Sequence, residues 1–480
     1  VVRTQDRRQP SGQSDAFGVL AEMVFEALLG LLYAGVIVAG WLIMFPMLSL
    51  PVAAVVGVGM WQGWPYGALA GLVAMTGWVS WAVWWPRSWD RWVWGRIRFR
   101  WLRWWRYTAS WKRVMAMHQL TVDVDGKVQV PGVGAVVVGP VADLVDVHMV
   151  TSQTPDDWTR EAEALSHAWR AVGVRVGQLR KGWVRLRVVR TDILTDPVPL
   201  SRIEPARVDL EALPIGRTEL GRVQTVPLLG AQLLVAGAMG SGKGSVTWSL
   251  IAAAGPLIRA RVVQVWYLDP KGGMEAGYAR DWFARFAYDN GERALAMLQE
   301  AAAIVQARGE KYMTRRERKI TPSVDEPLIV LIIDEFASLT TYFTDKKIRD
   351  EVTRLLSLIL TQSRAVAVPV IGCLQDPSKE VLALRQLFPY RLGLRMTEST
   401  MPDMVFGHRA RDRGAECDLI PKNTPGIGYV QDETGPDIER FRAYWVSDDD
   451  IDWIIHTYPS RHPDISGPTL NTGDGPEGSL

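Results

Sequence analysis

The sequence predicts an α/β protein built on a parallel sheet, preceded by a two-helix transmembrane hairpin and a small α+β domain. Three observations carry that expectation. No charged residue occurs between 27 and 86. From about residue 220 the apolar runs become short and continuous, at 232–236 (QLLVA), 262–268 (VVQVWYL), 328–333 (LIVLII) and 366–374 (VAVPVIGCL), as in strands buried on both faces of a parallel sheet. The first of these runs opens straight into a glycine loop, GAMGSGKGS, at 237–245.

With 480 residues, 48% of them apolar, the chain can bury a large core and form two or three domains. Its two cysteines, Cys373 and Cys417, are too few for a disulfide framework and lack metal-ligand spacing. Both are expected to be buried or half-buried in a reducing cytoplasm. The six histidines form no HExxH-like cluster and hold no metal. Formal net charge is +2, yet residues 87–113 carry nine Lys or Arg against Asp90 alone. The basic excess is a local patch on a mildly acidic remainder.

Sixty uncharged residues exceed any globular core helix, whereas a spanning helix needs about 20. Two spans are expected, near 28–48 and 65–85, with a turn containing Pro, Gly and Trp around 51–64. A cleaved signal peptide has a shorter apolar core and no second span. Arg3, Arg7 and Arg8 precede the hairpin and the basic segment follows it, which places the 1–26 tail and everything after the hairpin on the cytoplasmic side of the membrane. In the basic segment arginine interleaves with tryptophan. Its position fits an interfacial belt, with indoles at the headgroup level and arginines on anionic lipid; the other reading is nucleic-acid stacking and phosphate contact.

A small α+β domain is expected over 114–219. Residues 146–150 (DVHMV) read as a strand. Thr154-Pro155-Asp156-Asp157 reads as a helix start, with a capping hydroxyl, proline at the first position and an acid at the third. An amphipathic helix should continue over 158–171, and 183–189 alternates as a strand. No catalytic constellation is present here, so an adaptor or oligomerisation role is the default.

The chemistry lies further on. A strand, then GxxxxGK, then a helix turns backbone N–H groups and a helix N-terminus toward phosphates. Gly237, Ala238, Met239, Gly240, Ser241, Gly242, Lys243, Gly244 and Ser245 would form that cradle for ATP, with Lys243 reaching the β- and γ-phosphates. The run 328–333 ends at Asp334-Glu335, where Asp334 would orient Mg²⁺ or its water and Glu335 would polarise the attacking water. A glycine turn and a solvated strand end are the plainer readings of the two motifs taken singly. The loop departs from its pattern in one place. The hydroxyl that should follow the lysine is replaced by Gly244, and Ser245 lies about 100° further round the helix. Either Ser245 reaches the metal through a shifted loop, or water takes the hydroxyl's place.

GAMGSGKGS, YLDPKGG, PLIVLIIDEFASL, SRAVAVPVIGCLQDP and YRLGLRM, in that order, resemble the FtsK/SpoIIIE family of DNA translocases over about 215–450. Within that family the chain is most similar to the Tra proteins of actinobacterial conjugation. The resemblance implies a RecA-like P-loop ATPase motor over 220–447 that uses ATP and Mg²⁺. It also implies a homo-oligomeric ring, usually a hexamer, around double-stranded DNA at the cytoplasmic membrane. By position Gln375 matches the family's sensor glutamine. Arg364, and Arg391 or Arg395, are candidates for an arginine finger acting in trans, although each also reads as a surface ion pair. Arg308, Lys311, Arg315, Arg316, Arg318 and Lys319 close a long helical pattern, suited either to lining a DNA channel or to sitting at a helix C-terminus. The stretch 448–480 reads as a short helix and a disordered Gly/Pro-rich acidic tail, too short for the winged-helix reader of many relatives, so sequence-specific DNA loading is not expected of it.

Two rival readings stand beside this one. A secretion-system coupling ATPase would carry protein or relaxase-bound single-stranded DNA, but type IV coupling proteins usually insert a large helical domain between the nucleotide motifs, and type VII ATPases usually carry several modules. A membrane scaffold without turnover draws support only from the displaced serine. An ABC transporter lacks its LSGGQ-like segment here.

Overall fold

The structure, a computed structural model, describes Gly35, Gly40 and residues 45–460 apart from 203, 205–206, 316–319, 341–345, 378–380, 412, 434 and 436. The chain divides into two compact units, Val1–Ser110 and Trp111–Leu480.

In the first unit the expected span 28–48 falls almost wholly outside the described residues. The turn expected over 51–64 is corrected: those residues are mostly helical. Helix α1 (Pro46–Gln62) is followed after the single residue Gly63 by α2 (Trp64–Trp84). Gly63 breaks the helix at φ 99°, ψ 156°, a conformation that side chains with a Cβ rarely adopt. Pro51 is tolerated inside α1 for a specific reason. Having no N–H, it leaves the Met47 carbonyl without its helical donor, and Trp78 Nε1 from α2 donates to that oxygen at 3.1 Å. Glycines let the two helices close on each other, since a Cβ on Gly67 would lie 2.8 Å from Gly59 Cα. Among the described residues α2, with 21 residues, is the one helix long and apolar enough to cross a membrane. Beyond it the basic segment continues as helix α3 (Gly95–Arg103), flanked by π-turns at Asp90–Trp94 and Trp104–Thr108. Trp94, Trp101, Trp104 and Trp105 are exposed along it, and the Arg96 guanidinium sits over the Trp92 ring at 4.6 Å.

The second unit begins with a short helix, Trp111–Met117, followed by a hairpin, β1 (Val122–Val124) and β2 (Lys127–Gln129). A four-stranded antiparallel sheet follows, made of β3 (Gly132–Val137), β4 (Ala142–His148), β5 (Gly173–Arg180) and β6 (Trp183–Val189) in the order β3-β4-β6-β5. The Thr154 cap forms as its residues dictate: the Thr154 N–H and Oγ1 both donate to Asp157 Oδ2 at 2.8 Å. The single helix expected over 158–171 is instead two, α4 (Pro155–Arg160) and α5 (Ala162–Ala168), because the chain leaves helical ψ at Glu161 (φ −90°, ψ 1°).

The large sheet holds β7 (Val198–Pro199), β8 (Leu213–Thr218), β9 (Val223–Val226), β10 (Leu233–Ala236), β11 (Val263–Leu268), β12 (Arg285–Ala287), β13 (Leu328–Ile333), β14 (Val370–Leu374), β15 (Tyr390–Leu394), β16 (Ile427–Gln431) and β17 (Glu439–Trp445). Its order is β12-β11-β13-β14-β10-β15-β16-β17-β8-β9, with β7 beside β17. Along that order the first six strands are mutually parallel, and every pairing from β15 with β16 onward is antiparallel. The run expected as a strand over 366–374 becomes strand only from Val370. Strand β8, within residues read from sequence as part of the small domain, belongs to this sheet through β17.

Every residue of β10, β11, β13 and β14 is buried. These strands are covered by helices that include α6 (Lys243–Arg259), α7 (Glu292–Arg315), α8 (Phe336–Thr340) and α9 (Lys346–Gln362). Cys373 and Cys417 are both buried and unbridged. The last described helix, α10 (Asp448–Thr457), is capped by Ser447 and delivers Tyr458 onto α6, where a Cβ on Gly255 would lie 2.2 Å from the Tyr458 ring. Gly255→Ala is therefore expected to destabilise the fold by about 1–3 kcal/mol, read as a lower melting temperature.

Arg308 does not line a channel. It is buried in α7 and donates to the carbonyls of Pro327 (2.8 Å), Val366 (3.0 Å) and Ala367 (3.4 Å), tying the starts of β13 and β14 to the helix. Lys311 pairs with Glu326 at 2.6 Å. Arg316, Arg318 and Lys319 lie outside the described residues.

Candidate nucleotide-binding site

The carboxyl ends of the parallel strands gather the site. Strand β10 runs into the glycine loop, where Gly240 and Gly242 hold φ 69° and 100° and α6 begins at Lys243. Gly242 is required twice over, because a Cβ there would also lie 2.6 Å from the Gly426 amide nitrogen. That amide donates to the Ser241 carbonyl at 2.8 Å and fixes the loop from outside. Ser241 Oγ is buried without a hydrogen-bond partner, an unpaired polar atom inside a phosphate-shaped turn. Lys243 Nζ donates to the carbonyls of Gly237 (2.7 Å) and Ala238 (3.3 Å).

Strand β14 lies between β10 and β13. Neighbouring strands are about 4.8 Å apart, so the glycine loop and Asp334-Glu335 face each other across about 10 Å, with Gln375 at the end of the strand between them. The Gln375 N–H donates to Glu335 Oε1 at 3.4 Å. Burial pushes the Asp334 carboxyl up to about 6, against the pull of Lys271; the Tyr267 hydroxyl donates to its Oδ1 at 3.4 Å. Burial likewise lowers the Lys243 ammonium from its ordinary value, with Asp334 and Glu335 opposing and Lys271 adding to the shift. A buried carboxyl whose desolvation outweighs the pull of Lys271 fits a divalent cation, and Asp334 would hold it.

That shift has a thermodynamic sign. A carboxyl with a folded-state pKa near 6 against 3.8 unfolded costs stability once ionised. The cost is absent below about pH 3.8 and complete above about pH 6. Asp334→Asn should therefore melt higher than the parent above pH 6 by up to about 3 kcal/mol, with the difference fading as pH falls toward 4.

Gly244 stands where the metal-ligating hydroxyl is expected, and a Cβ there meets nothing within 4 Å. Ser245, half-buried one residue on, remains the alternative hydroxyl. Gly244→Ser should fit without strain and lower the Mg²⁺ concentration needed for half-maximal nucleotide binding by at least about tenfold, measurable by titration of a fluorescent nucleotide.

The arginines separate. Arg395 is at the site: its carbonyl accepts from the Ala238 N–H at 2.8 Å and its Nη2 donates to the Met239 carbonyl at 2.8 Å. Arg391 points away, with Nε donating to the Phe388 carbonyl at 2.9 Å. Arg364 precedes β14 at the amino ends of the parallel strands, on the order of 15 Å from the site along the strands. There it donates to the Gly230 carbonyl at 2.6 Å and makes a bidentate pair with Glu433. Sequence reasoning missed Lys271, whose Nζ lies 3.2 Å from Glu335 Oε2 and 4.0 Å from Asp334 Oδ2. It also missed buried Asp269, which accepts from the N–H groups of Lys271, Glu275 and Ala276. The available signal was position, since DPKGG follows the end of β11.

Fold and site define an α/β protein with a P-loop-type glycine loop at the carboxyl ends of a parallel sheet. No protein-family model matches the chain. The DNA translocase FtsK of Streptococcus pyogenes, in serotypes M1, M3 and M18, is 26% identical over 270 residues, 52% of this chain and 32% of each relative. The chain thus matches about a third of the length of those curated relatives. Among solved structures, the pCW3 conjugation coupling protein TcpA in its monomer form with ATPγS is similar at TM-score 0.49 and 17% identity, over 73% of this chain and 98% of that one. The cytoplasmic domain of the type VII secretion ATPase EccC of Thermomonospora curvata is similar at TM-score 0.45 and 21% identity, over 57% and 34%.

Proposed function

We propose that the chain is a membrane-anchored ATPase that moves double-stranded DNA in conjugative transfer. The observation that carries the proposal is the convergence of Lys243, Asp334, Glu335 and Gln375 at the carboxyl ends of three neighbouring strands, β10, β14 and β13. The 270-residue likeness to a DNA translocase supports it. In this reading the loop amides and Lys243 hold the triphosphate, Asp334 holds Mg²⁺, and Glu335 orients water toward the terminal phosphoryl group. The cation, when bound, neutralises charge on the transferring group. Gln375, on the strand between loop and acid, senses that group. Arg395, beside its own loop, serves it in cis, while Arg364, which precedes β14 at the amino ends of the strands, serves a neighbouring copy in a ring. Helix α2, closed against α1, anchors the chain in the cytoplasmic membrane, and the exposed tryptophans with their arginines form the belt at its cytoplasmic face.

The test is ATP hydrolysis by the full chain in detergent at one low salt concentration, with no DNA, single-stranded DNA or duplex. Stimulation by duplex that disappears in Lys243→Ala is the expected result. A rate indifferent to DNA would point instead to a secretion-type ATPase with protein cargo, and binding without hydrolysis to a scaffold.

A further inference from the structure

The lysine that reaches the functional carboxylates is not the one in the glycine loop. Lys271 Nζ lies 3.2 Å from Glu335 and 4.0 Å from Asp334, while Lys243 is turned onto the carbonyls of its own loop. The backbone of Lys271 is pinned. Asp269, fully buried, accepts from the N–H groups of Lys271 (3.2 Å) and Glu275 (2.9 Å), and the Gly272 N–H donates to the Tyr288 carbonyl at 3.1 Å. The side chain, by contrast, is about a third exposed, so the ammonium can move while its anchor stays fixed.

This arrangement is incompatible with hydrolysis as it stands. Glu335 cannot polarise water while its Oε2 faces an ammonium, and a divalent cation on Asp334 would be repelled by a positive charge 4.0 Å from the same carboxylate. A bound triphosphate would offer Lys271 a phosphate oxygen, and Asp334 would then be free to hold the accompanying cation. We propose that Lys271 is a second phosphate-directed lysine, which neutralises Glu335 and Asp334 until nucleotide binds and then moves to the terminal phosphate of a bound nucleoside triphosphate, releasing Glu335 for water. The inference rests on the nucleotide reading of the site.

The experiment measures binding of fluorescent ATPγS and fluorescent ADP, with Mg²⁺, to the full chain in detergent. Lys271→Met, which keeps the stem, should weaken ATPγS by about 10- to 100-fold and leave ADP within about twofold, and Lys271→Arg should recover part of the loss. Retained ADP binding certifies that the variant is folded. Equal loss of both nucleotides in Lys271→Met and Lys271→Arg, or loss of neither, would overturn the role of Lys271 while leaving the site intact. If the parent binds neither nucleotide, the nucleotide reading itself fails.

Discussion

Glu335→Gln is expected to bind ATP as tightly as the parent and to hydrolyse it about 10²- to 10⁴-fold more slowly, the usual contribution of a positioned general base. The substitution keeps volume and one oxygen, so the backbone contact from Gln375 at 3.4 Å survives. What is lost is the negative charge that draws a proton from water. The amide also ceases to pair with Lys271, now 3.2 Å away, so that lysine is freer to meet the phosphate and ATP should be trapped. Single-turnover hydrolysis beside equilibrium binding separates the two effects. Parent-like turnover would remove Glu335 from the mechanism.

Lys243→Ala is expected to weaken ATP by on the order of 100-fold or more, since charge-assisted hydrogen bonds to phosphate are each worth about 1.5–3 kcal/mol. The loop itself should persist. Its shape rests on Gly240 and Gly242 and on the Gly426 amide bonded to Ser241, none of which needs the lysine. Without nucleotide the ammonium is held by the Gly237 and Ala238 carbonyls at a cost in desolvation, so its removal should change thermal stability little. A variant that melts as the parent does but binds ATP normally would assign the phosphate contact elsewhere, with Lys271 the first residue to examine.

The elements of the large sheet and its glycine loop are largely legible in the residue pattern alone. Buried parallel strands are continuous apolar runs, and 328–333 matches β13 residue for residue. The glycine loop and Asp334-Glu335 lie at strand ends because both are defined by residues adjacent in sequence. Less is legible where a plain pattern has two outcomes. Residues 51–64 hold a proline and three glycines that read as a turn, yet one carbonyl left bare by Pro51 is satisfied by Trp78, 31 residues away, and helix wins. Arg308 reads as one more cation in a basic cluster, but three carbonyls from two strand approaches converge on it.

Sequence by itself thus determined the chemistry on offer: a phosphate loop, an acidic strand end, an apolar front and an arginine–tryptophan collar. Only the tertiary structure decided which of these groups meet. Strand order put β14 and Gln375 between loop and acid, drew Arg395 to the loop and left Arg364 at the amino ends of the strands, and brought Lys271 onto Glu335. The physical reason is that strand and loop identity follow from local residue pattern, whereas neighbour relations in a sheet follow from pairings between segments tens to hundreds of residues apart, which no local pattern encodes.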